Sequence, residues 1–206
     1  MYQMGWSNDV MDAKKSLRLR LRALRDAVPQ LQHDHLSVRI CDRAAQLPSL
    51  RGAHRVALYA GIGSEVQTRW LFATLRERGC RVAYPRVVAR GELVFAWVDD
   101  LTHLLPGYRA IPEPAAAGNV PLEDLDAIIV PGVGFDRRGH RIGYGSGCYD
   151  RVLGRYGGPT IALAFACQLC DVVPAEDHDR RVTIVVCEDV AINTEEAIKS
   201  PADLNR

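Results

Sequence analysis

The run "DAIIVP" (126–131) constrains this chain more than any other short segment. Ala127, Ile128, Ile129 and Val130 follow one another with no polar position between them. A strand made of them has no face fit for water, so apolar neighbours must cover both sides, as in the parallel sheets of α/β proteins. Other short β-rich runs recur: "RVALYA" (55–60), "CRVAYP" (80–85), "LVFAWV" (93–98), "TIALAF" (160–165) and "TIVVCED" (183–189). Helical segments fall between several of them. "VQTRWLFATLRERG" (66–79) closes on Gly79, the favoured residue just past a helix end, and "CYDRVLGRYG" (148–157) reads as a short helix. Strands alternating with helices imply an α/β, layered, Rossmann-like fold with a largely parallel central sheet flanked by helices.

A helical segment precedes this pattern. In "MDAKKSLRLRLRALRDAV", Leu17, Leu21, Leu24 and Val28 recur at spacings of four, three and four, one stripe of a helix that Pro29 ends. Lys14, Arg18 and Arg25 lie together beside that stripe. A second helix is expected from about Asp34 to Leu47, before Pro48. The organisation expected is one domain over residues 1–206. It comprises a helical segment at about 10–47, an α/β body at about 54–190 and a polar, frayed tail after 190. "IPEPAAAGNVP" (111–121) reads as a connecting loop.

Composition narrows the function. The 206 residues are 48% hydrophobic, enough for a substantial core, and the formal net charge is only +1, from 26 basic and 25 acidic residues. A general nucleic-acid binder would be strongly basic. No apolar run approaches the roughly 20 residues of a membrane span, and the first residues lack a signal-type apolar stretch, so the expectation is a soluble, cytoplasmic protein. Its six cysteines are then expected as reduced thiols. Cys167 and Cys170 form a lone "CQLC" with no second pair to complete a zinc site, and the apolar run before them points to a structural role.

"GYGSGCYDR" (143–151) follows the buried run and opens the short helix. Ligands in open α/β sheets bind beyond the carboxyl ends of strands. Glycines admit backbone N–H groups close to a phosphate, and a helix N-terminus adds partial positive charge. Arg141 and Arg151 supply cations, and Asp150 is a hard oxygen ligand suited to magnesium. No Gly-Lys-Ser/Thr ends the run, and Cys148 stands where the dinucleotide fingerprint needs its third glycine. Alone, the alternating glycines fit a phosphate loop and a plain turn about equally.

The wider segment "VPGVGFDRRGHRIGYGSGCYDRVL" (130–153) resembles the signature of the 5-formyltetrahydrofolate cyclo-ligase family. The resemblance runs over most of the chain. "KKSLR" (14–18), "YAGIGSEVQT" (59–68), "AYPRV" (83–87), "AIPEP" (110–114) and "IALAFACQLCDVVPAEDHD" (161–179) match further family blocks in order.

The resemblance implies an enzyme that uses ATP and magnesium to close 5-formyltetrahydrofolate into 5,10-methenyltetrahydrofolate, releasing ADP and phosphate. Its partners are then small molecules, a reduced folate and ATP, with neither nucleic acid nor membrane. Lys14, Arg18 and Arg141 would meet the nucleotide phosphates, together with Gly143, Tyr144, Gly145, Ser146, Gly147, Cys148 and Tyr149. Arg141 and Tyr149 would be catalytic, and Asp150 would hold Mg2+. Ala60 and Glu65 would contact the folate with Tyr144, Gly145, Ser146, Gly147 and Cys148. Blander readings stand beside these: a solvated basic face for Lys14 and Arg18, and a helix-dipole acid for Asp150.

The chain departs from the family at two positions. An aromatic is usual where Cys148 stands, and an aspartate that helps bind magnesium is usual at Thr183; Asp177 and Asp179 lie near it in sequence. Three readings follow: an active cyclo-ligase, a non-catalytic folate- or nucleotide-binding relative, and another α/β enzyme such as a sugar-phosphate isomerase.

Overall fold

The computed structural model describes residues 5–115 and 118–199. Helix α1 (Gly5–Asp26) is followed by α2 (Gln30–Ala45), which starts directly after Pro29, earlier than expected. The fixed φ of proline suits helix entry, so Pro29 both ends one helix and opens the next. A single turn, α3 (Pro48–Arg51), leads to β1 (Arg55–Ala57), α4 (Arg69–Glu77), β2 (Arg81–Ala89) and β3 (Glu92–Trp97). A small antiparallel pair comes next, β4 (Leu104–Pro106) with β5 (Pro112–Pro114). Thus the connection at 111–121 contributes a strand where a loop was expected.

The chain continues through β6 (Ala127–Val130), the short hairpin β7 (Gly134–Phe135) and β8 (Arg141–Ile142), and α5 (Cys148–Leu153). It ends with β9 (Thr160–Leu163), β10 (Ile184–Val186), β11 (Ala191–Asn193) and α6 (Thr194–Lys199). The expectation of a frayed tail after 190 is corrected through residue 199. β11 pairs antiparallel with β10, and Ile192 and Thr194 are buried. Ile192 and Ala197 pack on the same core cluster and seat this stretch on the sheet edge. Residues 200–206 of that tail lie outside the described residues.

The main sheet runs β11-β10-β9-β6-β1-β2-β3. The five inner strands are parallel, and both edge strands are antiparallel. β6 is fully buried, and its alternate residues feed opposite layers. Ile129 packs with residues of α2 and α4, including Ile40, Leu71 and Leu75. Ile128 and Val130 pack with Val152 and Leu153 of α5. Covering both faces is what the all-apolar "AIIV" demands, and each such side chain contributes about 1.5–3 kcal/mol.

One topological consequence sets the site. From β1 the chain crosses to β2 on one side, whereas β6 lies on β1's other side and leads on to β9. The loops leaving the carboxyl ends of β1 and β6 therefore part company, and a crevice opens between them.

The face that α1 buries differs from the apolar stripe. Leu21 is buried, but Leu24 is 49% exposed and Arg25 is 3% exposed. The helix lies over polar loops here, so a guanidinium with partners occupies the inward position and a leucine faces out.

Candidate active site

The crevice is a cleft of about 390 Å³. The loop after β1 brings Tyr59, Ala60, Ile62 and Glu65, and the segment after β6 brings Pro131 and residues 141–150. Helix α1 lays Lys14 and Arg18 along one wall, and Glu176, His178 and Asp179 close another.

The glycine segment owes its shape to backbone chemistry. Gly145 and Gly147 have φ of 92° and 67°, a left-handed region in which side chains other than glycine are strained. Gly143 is needed for another reason: a Cβ there would sit 2.8 Å from Nη1 of Arg141. Arg18 also grips the loop, its Nε donating to the Gly143 carbonyl at 2.7 Å. The two guanidiniums thus flank a backbone turn, a cradle for an anion.

Each cation of this cradle is partnered. Arg141 donates from Nη2 to Oδ1 of Asp150 at 2.8 Å, and their side chains are 5% and 23% exposed. The Nε of Arg141 is buried and has no hydrogen-bond partner among the described residues. Lys14 lies 2.6 Å from both Glu176 and Asp179. Burial works against the Lys14 ammonium, but the hydrogen bonds it donates to the two carboxylates outweigh it, so its pKa is raised and it stays charged. Lys14 and Arg141 thus each meet carboxylates across the cleft.

Among the described residues no group of three or more His, Cys, Asp or Glu is arranged to hold a metal ion. The donor set that remains is Asp150, whose Oδ2 makes no hydrogen bond among the described residues, both recorded bonds going to Oδ1. One carboxylate completed by phosphate oxygens and water is the usual way to hold Mg2+, so the residues fit that ion in the presence of a nucleotide.

At the other end of the cleft sits Glu65, 5% exposed. Its Oε1 accepts from the Tyr144 hydroxyl at 2.7 Å and its Oε2 from the Ile62 N–H at 3.1 Å. Burial pushes its pKa up, and those two hydrogen bonds and the charge of Arg25 pull it partway back. Burial and the neighbouring Glu65 push the Tyr144 hydroxyl up to about 12. The Tyr149 hydroxyl is buried without a hydrogen-bond partner among the described residues, and burial, then Glu65, drives its pKa far up. Tyr149 therefore stays protonated: it can donate a hydrogen bond to a ligand but is no base.

The matching family model, the 5-formyltetrahydrofolate cyclo-ligase family, covers residues 10–188. The chain belongs to this family. It is accordingly an enzyme. It is 31% identical over 173 residues to the 5-formyltetrahydrofolate cyclo-ligase of Escherichia coli (strain K12), covering 81% of this chain and 95% of that one. The mouse cyclo-ligase is 27% identical over 197 residues, covering 87% and 96%. Among solved structures, the Aquifex aeolicus 5,10-methenyltetrahydrofolate synthetase superposes with a TM-score of 0.79 at 30% identity, over 88% of this chain and 92% of that one.

Every cyclo-ligase position carried over from the sequence lines the one cleft: Lys14 and Arg18, Ala60 and Glu65, Arg141, and 143–150. Thr183 does not. Its hydroxyl donates to the Thr160 carbonyl at 2.9 Å and accepts from the Thr160 N–H at 2.9 Å, tying β9 to the entry of β10. Asp179 does line the cleft, held by Lys14, whereas Asp177 does not. Cys148 is 8% exposed at the start of α5, so the usual aromatic is replaced by a small buried thiol. All six cysteines are free, and the half-buried Cys167 and Cys170 pack against separate core clusters. No helix among the described residues is long and apolar enough to cross a membrane. Sequence reasoning missed Arg25, Glu176 and the Lys14 bridge. The signal for Arg25 was its i+4 and i+7 spacing from the buried Leu21 and the cleft-lining Arg18.

Proposed function

We propose that this enzyme uses ATP and Mg2+ to convert 5-formyltetrahydrofolate into 5,10-methenyltetrahydrofolate, with release of ADP and phosphate. The observation that carries this reading is the shared cleft. An arginine-flanked glycine turn suited to phosphates lies in one cavity with a buried carboxylate suited to a pterin.

Glu65 has one lone pair left on each oxygen after its two present bonds, so it can accept the paired N–H donors of a pterin ring. That anchors the folate with its formyl group toward the glycine turn. A formyl amide oxygen is a poor leaving group. Its attack on the γ-phosphorus of ATP expels ADP and leaves an iminium phosphate. The neighbouring folate nitrogen then bonds to the formyl carbon and loses its proton, and phosphate departs with the former formyl oxygen. Lys14, Arg18 and Arg141 bind the anionic oxygens, Arg141 through the Nη1 that Asp150 leaves unused. Asp150 would hold Mg2+, which when bound neutralises phosphate charge. Protonated Tyr149 donates to a ligand oxygen and helps exclude water. Such catalysis is mostly positioning and charge neutralisation.

The test is turnover of purified protein with 5-formyltetrahydrofolate, followed by the near-ultraviolet absorbance of the methenyl product. Product is expected only when ATP and Mg2+ are both present. Ligand binding without product at high enzyme concentration would favour a non-catalytic relative.

A further inference from the structure

We propose that Arg25 is a positioning residue for this site, holding Glu65 ionised and aimed through Tyr144; this rests on the folate reading of the cleft. Arg25 is 3% exposed in the last turn of α1, and it does not line the cleft itself. Its Nη2 donates to the Tyr144 hydroxyl at 3.0 Å, and that hydroxyl donates onward to Oε1 of Glu65 at 2.7 Å. Its Nε donates to Oγ of Ser64, the residue next to Glu65, at 3.0 Å, and Ser64 in turn bonds Asp26. One guanidinium thus fixes both ends of the Glu65 environment: the loop that carries it and the tyrosine that caps it.

Burying a guanidinium is costly unless what it holds repays the cost. A surface helix end does not require it, and Leu24 beside it, 49% exposed, was available for apolar packing. The groups facing Glu65 are Arg25 from α1, Tyr144 from the glycine segment, Tyr59 after β1 and Tyr149 from α5. Arg25 is the one cation among them, so it opposes the burial that would neutralise the carboxylate. The relay also joins the β1 loop to Tyr144 of the glycine segment.

The test compares wild type with Arg25→Met, Arg25→Lys, Tyr144→Phe and the Arg25→Met/Tyr144→Phe double variant. Folate binding is read by calorimetry across pH, and KM values by turnover. Arg25→Met is expected to weaken folate binding about tenfold or more, leaving KM for ATP within about twofold. The acid limb of folate binding should move up by about half a pH unit or more, because loss of the cation raises the Glu65 pKa. Arg25→Lys should recover part of the loss. The double variant should be little worse than the weaker single variant, since both break one relay. A purely structural Arg25 would lower thermal stability and leave the pH profile of binding unmoved, and that result overturns the proposal. If Arg25→Met does not fold, Arg25→Lys and Tyr144→Phe decide, because Tyr144 is 42% exposed and loses only its hydroxyl. Wild-type protein that binds no folate would fail the functional reading instead, and it is measured first.

Discussion

The guanidinium of Arg141 and the carboxylate of Asp150 meet at 2.8 Å beneath the glycine turn, one 5% and the other 23% exposed. The pair holds the cradle in shape while one oxygen of Asp150 stays free. Asp150→Asn keeps an oxygen to accept from Arg141 but removes the charge a divalent cation needs. We expect turnover to fall at least about a hundredfold, with a cooperative thermal transition retained. Steady-state rates against Mg2+ concentration and a circular-dichroism melt check this. Full activity in the variant would remove Asp150 from the metal assignment.

Lys14 bridges Glu176 and Asp179 at 2.6 Å each, so a nucleotide must draw the ammonium from two carboxylates. On the proposed reading, Lys14→Met removes a phosphate partner, and it leaves both carboxylates uncompensated in the cleft. KM for ATP should rise about tenfold or more, with KM for the folate changed far less. Initial-rate kinetics with each substrate varied in turn distinguish the two.

The same bridge makes an acid-stability prediction. Burial raises the Asp179 pKa, but the hydrogen bonds from Lys14 and the Glu176 N–H outweigh it, so the folded value is lowered. The stability this gives is present above the unfolded value of about 3.9 and is lost as pH falls through the lower folded value. Wild-type melting temperature should therefore drop more steeply than that of Asp179→Asn as pH is taken below about 4. Parallel melting curves across that range would contradict the assignment.

Thr183 ties β9 to β10 through paired hydrogen bonds with Thr160 and stands outside the cleft. Thr183→Val keeps the shape and loses the hydroxyl. It should cost roughly 1–3 kcal/mol in chemical denaturation and leave the Mg2+ dependence of turnover unchanged. A shifted Mg2+ dependence would give Thr183 a role in the site.

The inner strands were legible because all-apolar runs such as "AIIV" leave a strand no alternative to burial on both faces. The short hairpin of β7 and β8 was not, since strands of two residues carry no period to read. Helix α1 was found, but its inward face was misjudged: periodicity counts apolar residues, and Arg25 buries against Ser64 and Tyr144 from distant loops. The same limit hid the carboxylate partners of Lys14, which lie 162 and 165 residues along the chain. What the motif could carry was which residues share the site. How their charges pair depended on tertiary contact.

The central claim is that ATP activates the formyl oxygen, and tracing that oxygen tests it most directly. 5-Formyltetrahydrofolate carrying a heavy-oxygen label in the formyl group is converted by the purified enzyme with ATP and Mg2+, and the released phosphate is examined by mass spectrometry. The account predicts one labelled oxygen in each phosphate formed, with ADP and methenyl product in equal amounts. Label appearing in water, with unlabelled phosphate, would contradict it.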